Sequence, residues 1–202
     1  MRTRWTKLGA LAVSAAAVLA GAGTAQGVGT NVALNALTFS TYGLAVPALP
    51  CTLGSGPENA VDGAASNIYT DKWCVPSGRP TLTIQLPLNA YGYSVNQIVV
   101  KHAGVAGESP TLNTRAYTLT AVQQLWQQVW DRYFFDWLWV STPIETTVAT
   151  VTANTANQTV HNVSLNHVTA LDLTVDVPTQ GTNPATRIYE VQVWGVPSGP
   201  PS

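Results

Sequence analysis

The sequence predicts an all-β fold, an antiparallel sandwich or jelly roll, and three observations carry that prediction. Apolar and polar residues alternate with period two in one run after another, proline and glycine punctuate the joins, and helix-period patterning is confined to one segment. Many short strands with little helix bury their apolar faces by layering sheet on sheet.

The first 25 residues stand apart from this pattern. Arg2, Arg4 and Lys7 make a basic start, "LGALAVSAAAVLAGAG" is a short apolar core, and Gly23-Thr24-Ala25 offers small residues for cleavage. That order is a secretory signal, with an apolar core too short for a membrane span, so the chain is expected to be secreted and extracellular. The folded domain is then expected over residues 26–196, with 197–202, rich in Pro, Gly and Ser, as a disordered tail. Beyond the signal, six Lys and Arg face all ten carboxylates, a net charge of −4. No basic patch is available to follow a phosphate backbone, which argues against nucleic acid as a partner.

Cys51 and Cys74 are the two cysteines of the chain. In an exported protein an isolated pair reads as one disulfide, the alternative being two free thiols. The strands follow in order. "TLTIQL" (81–86) places Leu82, Ile84 and Leu86 on one face and Thr81, Thr83 and Gln85 on the other. "QIVVKHA", "RAYTL", "TTVATVTA", "TVHNVSL", "LDLTVDV" (171–177) and "RIYEVQVWG" (187–195) are further strand-like runs.

One segment, residues 122–140, departs from period two. "VQQLWQQVWDRYFFDWLWV" holds four of the seven Trp, and Val122, Leu125, Trp126, Val129, Trp130, Tyr133, Phe134, Trp137 and Leu138 follow the i, i+3, i+4, i+7 rule. The pattern predicts an amphipathic helix or a helix-like hairpin. Gln and Asp, rather than Lys and Arg, line its polar side, which argues against a membrane surface. So many aromatics in the open would form an apolar patch suited to a protein partner, a sugar platform, or an insertion with no selected role.

No enzyme signature is present: no G-x-S-x-G elbow, no H-E-x-x-H, no phosphate loop. His102, His161 and His167 match no zinc spacing, and nothing singles out a glycosidase pair among the ten carboxylates. The chain reads as a non-enzyme. One loop, "ENAVDGAASNIYTDKWC" (58–74), concentrates polar groups. Asp62 precedes Gly63 at a tight turn, and Ser66 and Asn67 add neutral oxygens. A hard cation such as calcium takes six to eight oxygens, many of them carbonyls, and Glu190 is the candidate for a second carboxylate. An ordinary solvated loop is the competing reading.

Eight blocks, "NVALN", "NAVDG", "DKWC", "TLTIQLPL", "IVVKHAG", "GE", "NTRAY" and "RIYEVQVWG", occur in this order over residues 31–195. Together they resemble the discoidin domain (coagulation factor V/VIII C-type), in particular its bacterial branch, the family 32 carbohydrate-binding modules. The resemblance leaves out the aromatic segment, where such domains have a short hairpin. It implies a galactose-binding-like β-sandwich with a structural calcium site. Carried over position by position, the metal set would be the carbonyl of Asn59, the side chain of Asp62, the carbonyl of Ala64, the side chain of Asn67, the carbonyl of Tyr189 and the side chain of Glu190. Asn67 replaces a threonine-type ligand and changes its reach. Trp73 is expected to pack beneath this loop rather than stack on a sugar.

The resemblance also implies glycan binding by loop residues of His, Arg, Asn and acidic type. His102, Glu108, Asn113 and Arg115 lie along one strand–loop–strand connection and are the candidates, against the reading that they only fix that connection. The expectation is therefore a secreted, calcium-stabilised, non-catalytic module that binds a glycan or polysaccharide. The alternatives are an adhesion or protein-interaction module of the same fold that docks through the aromatic segment, and an exported hydrolase with an unrecognised site.

Overall fold

The computed structural model describes residues 29–41, 51 and 55–201. The expected signal, residues 1–25, lies outside them. Nine strands occur among the described residues: β1 (Thr30–Asn31), β2 (Leu37–Ser40), β3 (Trp73–Val75), β4 (Thr81–Gln85), β5 (Tyr93–His102), β6 (Ala116–Asp131), β7 (Asp136–Val151), β8 (Gln158–Val177) and β9 (Thr186–Pro197). Short 3-10 turns at Pro57–Ala60, Ala103–Ala106 and Pro110–Leu112 are the helical elements there.

All pairings are antiparallel and run in the order β1-β9-β5-β8-β4-β2, with β3 also on β9 and β6 between β8 and β7. The runs "TVHNVSL" and "LDLTVDV" are one strand rather than two. The first half of β8 pairs with β5 and its second half with β4 and β6. His167 lies between the halves at φ 58, a left-handed conformation that bends the strand from one layer into the other. Its ring Nδ1 meets the Tyr91 carbonyl oxygen at 2.8 Å, and its backbone N–H donates to Ser198 Oγ at 3.2 Å.

Alternation places one face of β4, β5, β6, β8 and β9 in a single core. Leu82 and Ile84 of β4, Tyr117 and Leu119 of β6, and Leu171, Leu173 and Val175 of β8 meet Ile98, Val100, Ile188, Val191 and Val193 from β5 and β9. Trp73 joins this core at 1% exposure, beneath the polar loop as expected. The ordered domain continues past residue 196. Ser198 is buried, and its N–H donates to the Gly92 carbonyl.

Residues 122–140 are not helical. They form the outer part of β6, a turn at 132–135 and the start of β7, paired in unbroken register from Thr120↔Thr147 to Asp131↔Asp136. Asp131 Oδ1 accepts from the backbone N–H groups of Tyr133 and Phe134, and Phe135 takes φ 53, so a tight four-residue turn reverses the chain. β8 leaves β6 after Gln123↔Val168, and the hairpin continues past the end of the sandwich as a two-stranded arm.

Cys51 and Cys74 form the expected disulfide, with Cα atoms 5.5 Å apart. It ties the chain before the polar loop to β3, where Cys74 is fully buried beside Ala185. Closing a loop of sequence separation 23 is expected to stabilise by about 3 kcal/mol through the unfolded chain. Reduction should lower the urea midpoint by a corresponding amount, and an unchanged midpoint after verified reduction would contradict this.

Candidate functional site

The polar loop lies at the end of the sandwich where β5 finishes and β9 begins. Pro57 opens its 3-10 turn, and Val61, 1% exposed, anchors the loop by accepting the N–H of Asn35 at 2.7 Å. Asp62 is exposed, and its Oδ1 accepts from the Ala64 N–H at 2.8 Å. Gly63 takes φ +85, which an L side chain rarely adopts, and that turn aims its N–H at Glu190 Oε2, 3.1 Å away.

Glu190 is 0% exposed and faces Lys101 across the β5–β9 ladder. Its Oε1 has no hydrogen-bond partner among the described residues. Burial pushes the carboxyl up to about 7; Lys101 and the Gly63 N–H act against the rise, and the Asp62 charge adds to it. A buried carboxylate with one bare oxygen, near a second carboxylate, leaves an acceptor unmet that a cation could satisfy beside Lys101.

The other expected ligands are placed less uniformly. Asn59 sits in the 3-10 turn with its Nδ2 donating to the Lys72 carbonyl at 3.3 Å. Ala64 follows Gly63 on the rim. Asn67 Oδ1 accepts the Tyr69 N–H at 2.9 Å, which closes a local turn. Tyr189 precedes Glu190 on β9, its side chain buried on the opposite face. The second half of the loop is organised by Asp71, a residue sequence reasoning passed over. Its carboxylate accepts from the N–H groups of Asn67 (2.9 Å) and Ser66 (3.1 Å) and from the hydroxyl of Thr70 (2.9 Å). The Asn67 N–H, followed by the Thr70 hydroxyl, holds this carboxyl below the usual range.

Beneath the same loop is a buried charge cluster. Glu108 Oε1 accepts from Lys72 Nζ at 2.5 Å and from the Tyr189 hydroxyl, while Glu108 Oε2 lies 3.3 Å from Arg187 Nε. The side chains of Lys72, Arg187 and Glu108 are 5%, 3% and 11% exposed. Burial pushes the Arg187 guanidinium down and the Tyr189 phenol up. A lysine next to the Trp73-Cys74 pair and an arginine opening the core strand "RIYEV" were the available signal, since buried cations require a partner.

The four residues expected to bind a glycan do not come together on one open face. His102 is 0% exposed at the end of β5, with Nε2 3.2 Å from Thr159 Oγ1, and burial lowers its pKa to about 3. The Tyr117 hydroxyl links Thr159 to His161, itself lowered to about 4 by burial. Both imidazoles are therefore neutral. Asn113 is also 0% exposed and braces its loop, accepting from the Gly104 N–H at 2.8 Å and donating to Asn157 Oδ1 at 2.9 Å. Glu108 belongs to the charge cluster. Of the four, Arg115 alone is exposed.

Among the described residues no three His, Cys, Asp or Glu side chains gather as a metal-ligand group. Any cation at the loop would draw on two carboxylates and neutral oxygens, a set that suits a hard ion rather than zinc.

These features define an antiparallel β-sandwich with a polar loop end and an added two-stranded arm. Its likeness to solved structures is to family 32 carbohydrate-binding modules. The family 32 module of EndoD from Streptococcus pneumoniae superposes with a TM-score of 0.58 at 23% identity, over 82% of this chain and 99% of that one. Chitosan-binding module 1 of a chitosanase/glucanase from Paenibacillus sp. IK-5 gives 0.53 at 16%, over 82% and 98%. A family 32 module from Clostridium perfringens, solved with GalNAc-β-1,3-galactose, gives 0.51 at 13%, over 82% and 99%. At these identities the likeness establishes the fold. No family model matches the chain, and no curated protein matches it.

Proposed function

We propose that the protein is a secreted, non-catalytic carbohydrate-binding module whose loop end is stabilised by calcium. The observation that carries the binding reading is the superposition on solved carbohydrate-binding modules over nearly their whole length. For calcium, support comes from the bare oxygen of buried Glu190 beside the Asp62–Gly63–Ala64 turn. The side chains of Asp62 and Glu190 would hold the ion together with loop carbonyls. Bound there, it would satisfy that unmet acceptor and fasten the loop to β9.

A second reading, a protein-interaction module of the same fold, is favoured by the arm, where Leu125, Val129, Leu138 and Val140 are 40–53% exposed. A glycan array on the chain without residues 1–25 separates the two. The expected result is binding to galactose-type or glucosamine-type glycans in the presence of calcium. Absence of binding to every glycan would overturn the carbohydrate reading.

A further inference from the structure

Strand pairing sorts the arm into two chemically different faces. Directly paired residues share a face and successive residues alternate, so β6 residues of even number lie with their β7 partners on one side. That side carries the pairs Trp130/Trp137, Gln128/Trp139, Trp126/Ser141 and Gln124/Pro143. The other side carries Val129/Leu138, Gln127/Val140 and Leu125/Thr142, continuing the face on which Tyr117, Leu119 and Ala121 enter the core. All four tryptophans of the segment fall on the first side, away from the direction of the core, and no charged residue lies among them, the charge of that side being Glu145 at its base, opposite Val122.

We propose that this tryptophan–glutamine face binds an extended, uncharged polysaccharide chain, so that the module grips its glycan along the arm and not in a loop pocket. The proposal rests on the carbohydrate reading above. Trp130, Trp137 and Trp139 are 44%, 57% and 41% exposed, open enough to receive a sugar and packed enough to be held. Trp130 and Trp137 brace one another edge to face at 5.6 Å, and Trp126 is braced in the same way by Tyr91 of the sandwich, also at 5.6 Å. Ring surfaces held in this way lose little rotamer freedom when a ligand arrives.

The chemistry selects the ligand. A pyranose offers a C–H face to an indole and hydroxyls at its rim, and the amides of Gln124 and Gln128, interleaved with the rings, both donate and accept. Trp126 and Trp130, four residues apart on one strand, lie about 13 Å apart, more than one sugar ring spans. A chain therefore suits the face better than a terminal residue does. Uncharged side chains give an anionic or cationic polymer nothing to pair with. A lipid bilayer does not suit the arm: the outer edges of β7 and of β6 beyond Gln123 have no strand partner among the described residues, and open edges are not tolerated in hydrocarbon.

The test uses the full secreted chain in affinity gels containing galactan, xylan or glycol chitin, with polygalacturonate as a charged comparison. Retardation by at least one uncharged polymer, insensitive to added salt, is expected. Trp137→Ala and Trp130→Ala should each weaken it by roughly tenfold, with Trp137→Tyr keeping most of the affinity and the melting temperature showing that each variant is folded. Binding that is undiminished in folded Trp→Ala variants would overturn the platform and leave the carbohydrate reading standing. No binding to any glycan by the wild type would overturn both. Self-association or vesicle binding that depends on these tryptophans, without polysaccharide binding, would also overturn the platform.

Discussion

Replacing Glu108 with alanine is expected to cost about 3–5 kcal/mol of folding stability. The reason is the company Glu108 keeps. Its carboxylate is the charge partner of both Lys72 and Arg187, whose side chains are 5% and 3% exposed. Removing it would leave two cations buried beneath the loop without their shared carboxylate, with Lys72 keeping the Tyr189 hydroxyl, 3.5 Å away, as a hydrogen-bond partner. Glu108→Gln should cost less, because the amide oxygen can still accept while the charge is lost. Urea unfolding of the two variants and the wild type measures the difference. A loss for Glu108→Ala below about 1 kcal/mol, the range of an exposed ion pair, would show that solvent reaches the cluster. Any accompanying loss of glycan binding should then follow stability, since Glu108 faces its cations.

The second large effect concerns Glu190 and is read as a difference between wild type and Glu190→Gln. In the wild type without divalent ions, the folded carboxyl titrates at about 7, above its unfolded value of about 4.5. The folded state therefore binds the proton more tightly. The stability this contributes is complete below pH 4.5 and is lost as pH rises through 7. The loss amounts to up to about 3 kcal/mol. Glu190→Gln has no carboxylate to ionise, so it should match the wild type near pH 4.5 and exceed it at pH 8. Neutral buried His102 and His161, titrating at about 3 and 4, add a slope of opposite sign below pH 6.5, but that slope is common to both proteins and cancels in the difference.

Saturating calcium should reverse the order at pH 8. It would stabilise the wild type by mass action, raising its melting temperature and returning it on chelation, while leaving Glu190→Gln unmoved. Equal calcium responses in the two proteins would remove Glu190 from the site. No response in either would remove the site itself.

Much of the fold was legible because the physics that forms a strand is local. Period-two alternation in "TLTIQL" and "LDLTVDV" places Leu82, Ile84, Leu171, Leu173 and Val175 inward wherever the strands are paired, and the core contains them all. The Cys51–Cys74 bridge followed from there being two cysteines in a chain read as exported. The Asp-Gly turn at 62–63 was also visible, since a left-handed backbone beside a carboxylate is a local property.

Three things needed the tertiary structure. In residues 122–140 the apolar positions recur as adjacent pairs at 125 and 126 and at 129 and 130, and from 133 to 140 every position but Asp136 is apolar. Such pairs fit a helical stripe, and they equally fit a ribbon that is apolar on both faces. The choice depended on strand partners that local sequence does not name: β8 pairs with the base of β6 up to Gln123, and β7 then follows β6 outward. The fate of His102, Glu108 and Asn113 was decided by burial. Sequence placed them along one connection, but only packing shows two of them enclosed and the third paired with residues 36 and 79 positions away. The bend at His167 likewise merged two expected strands into one that serves both layers. In the period-two runs sequence by itself determined which side chains face the core, since period and polarity carry that information. Only the folded chain decided which polar groups were enclosed with them, because a buried charge is tolerated where a distant partner meets it.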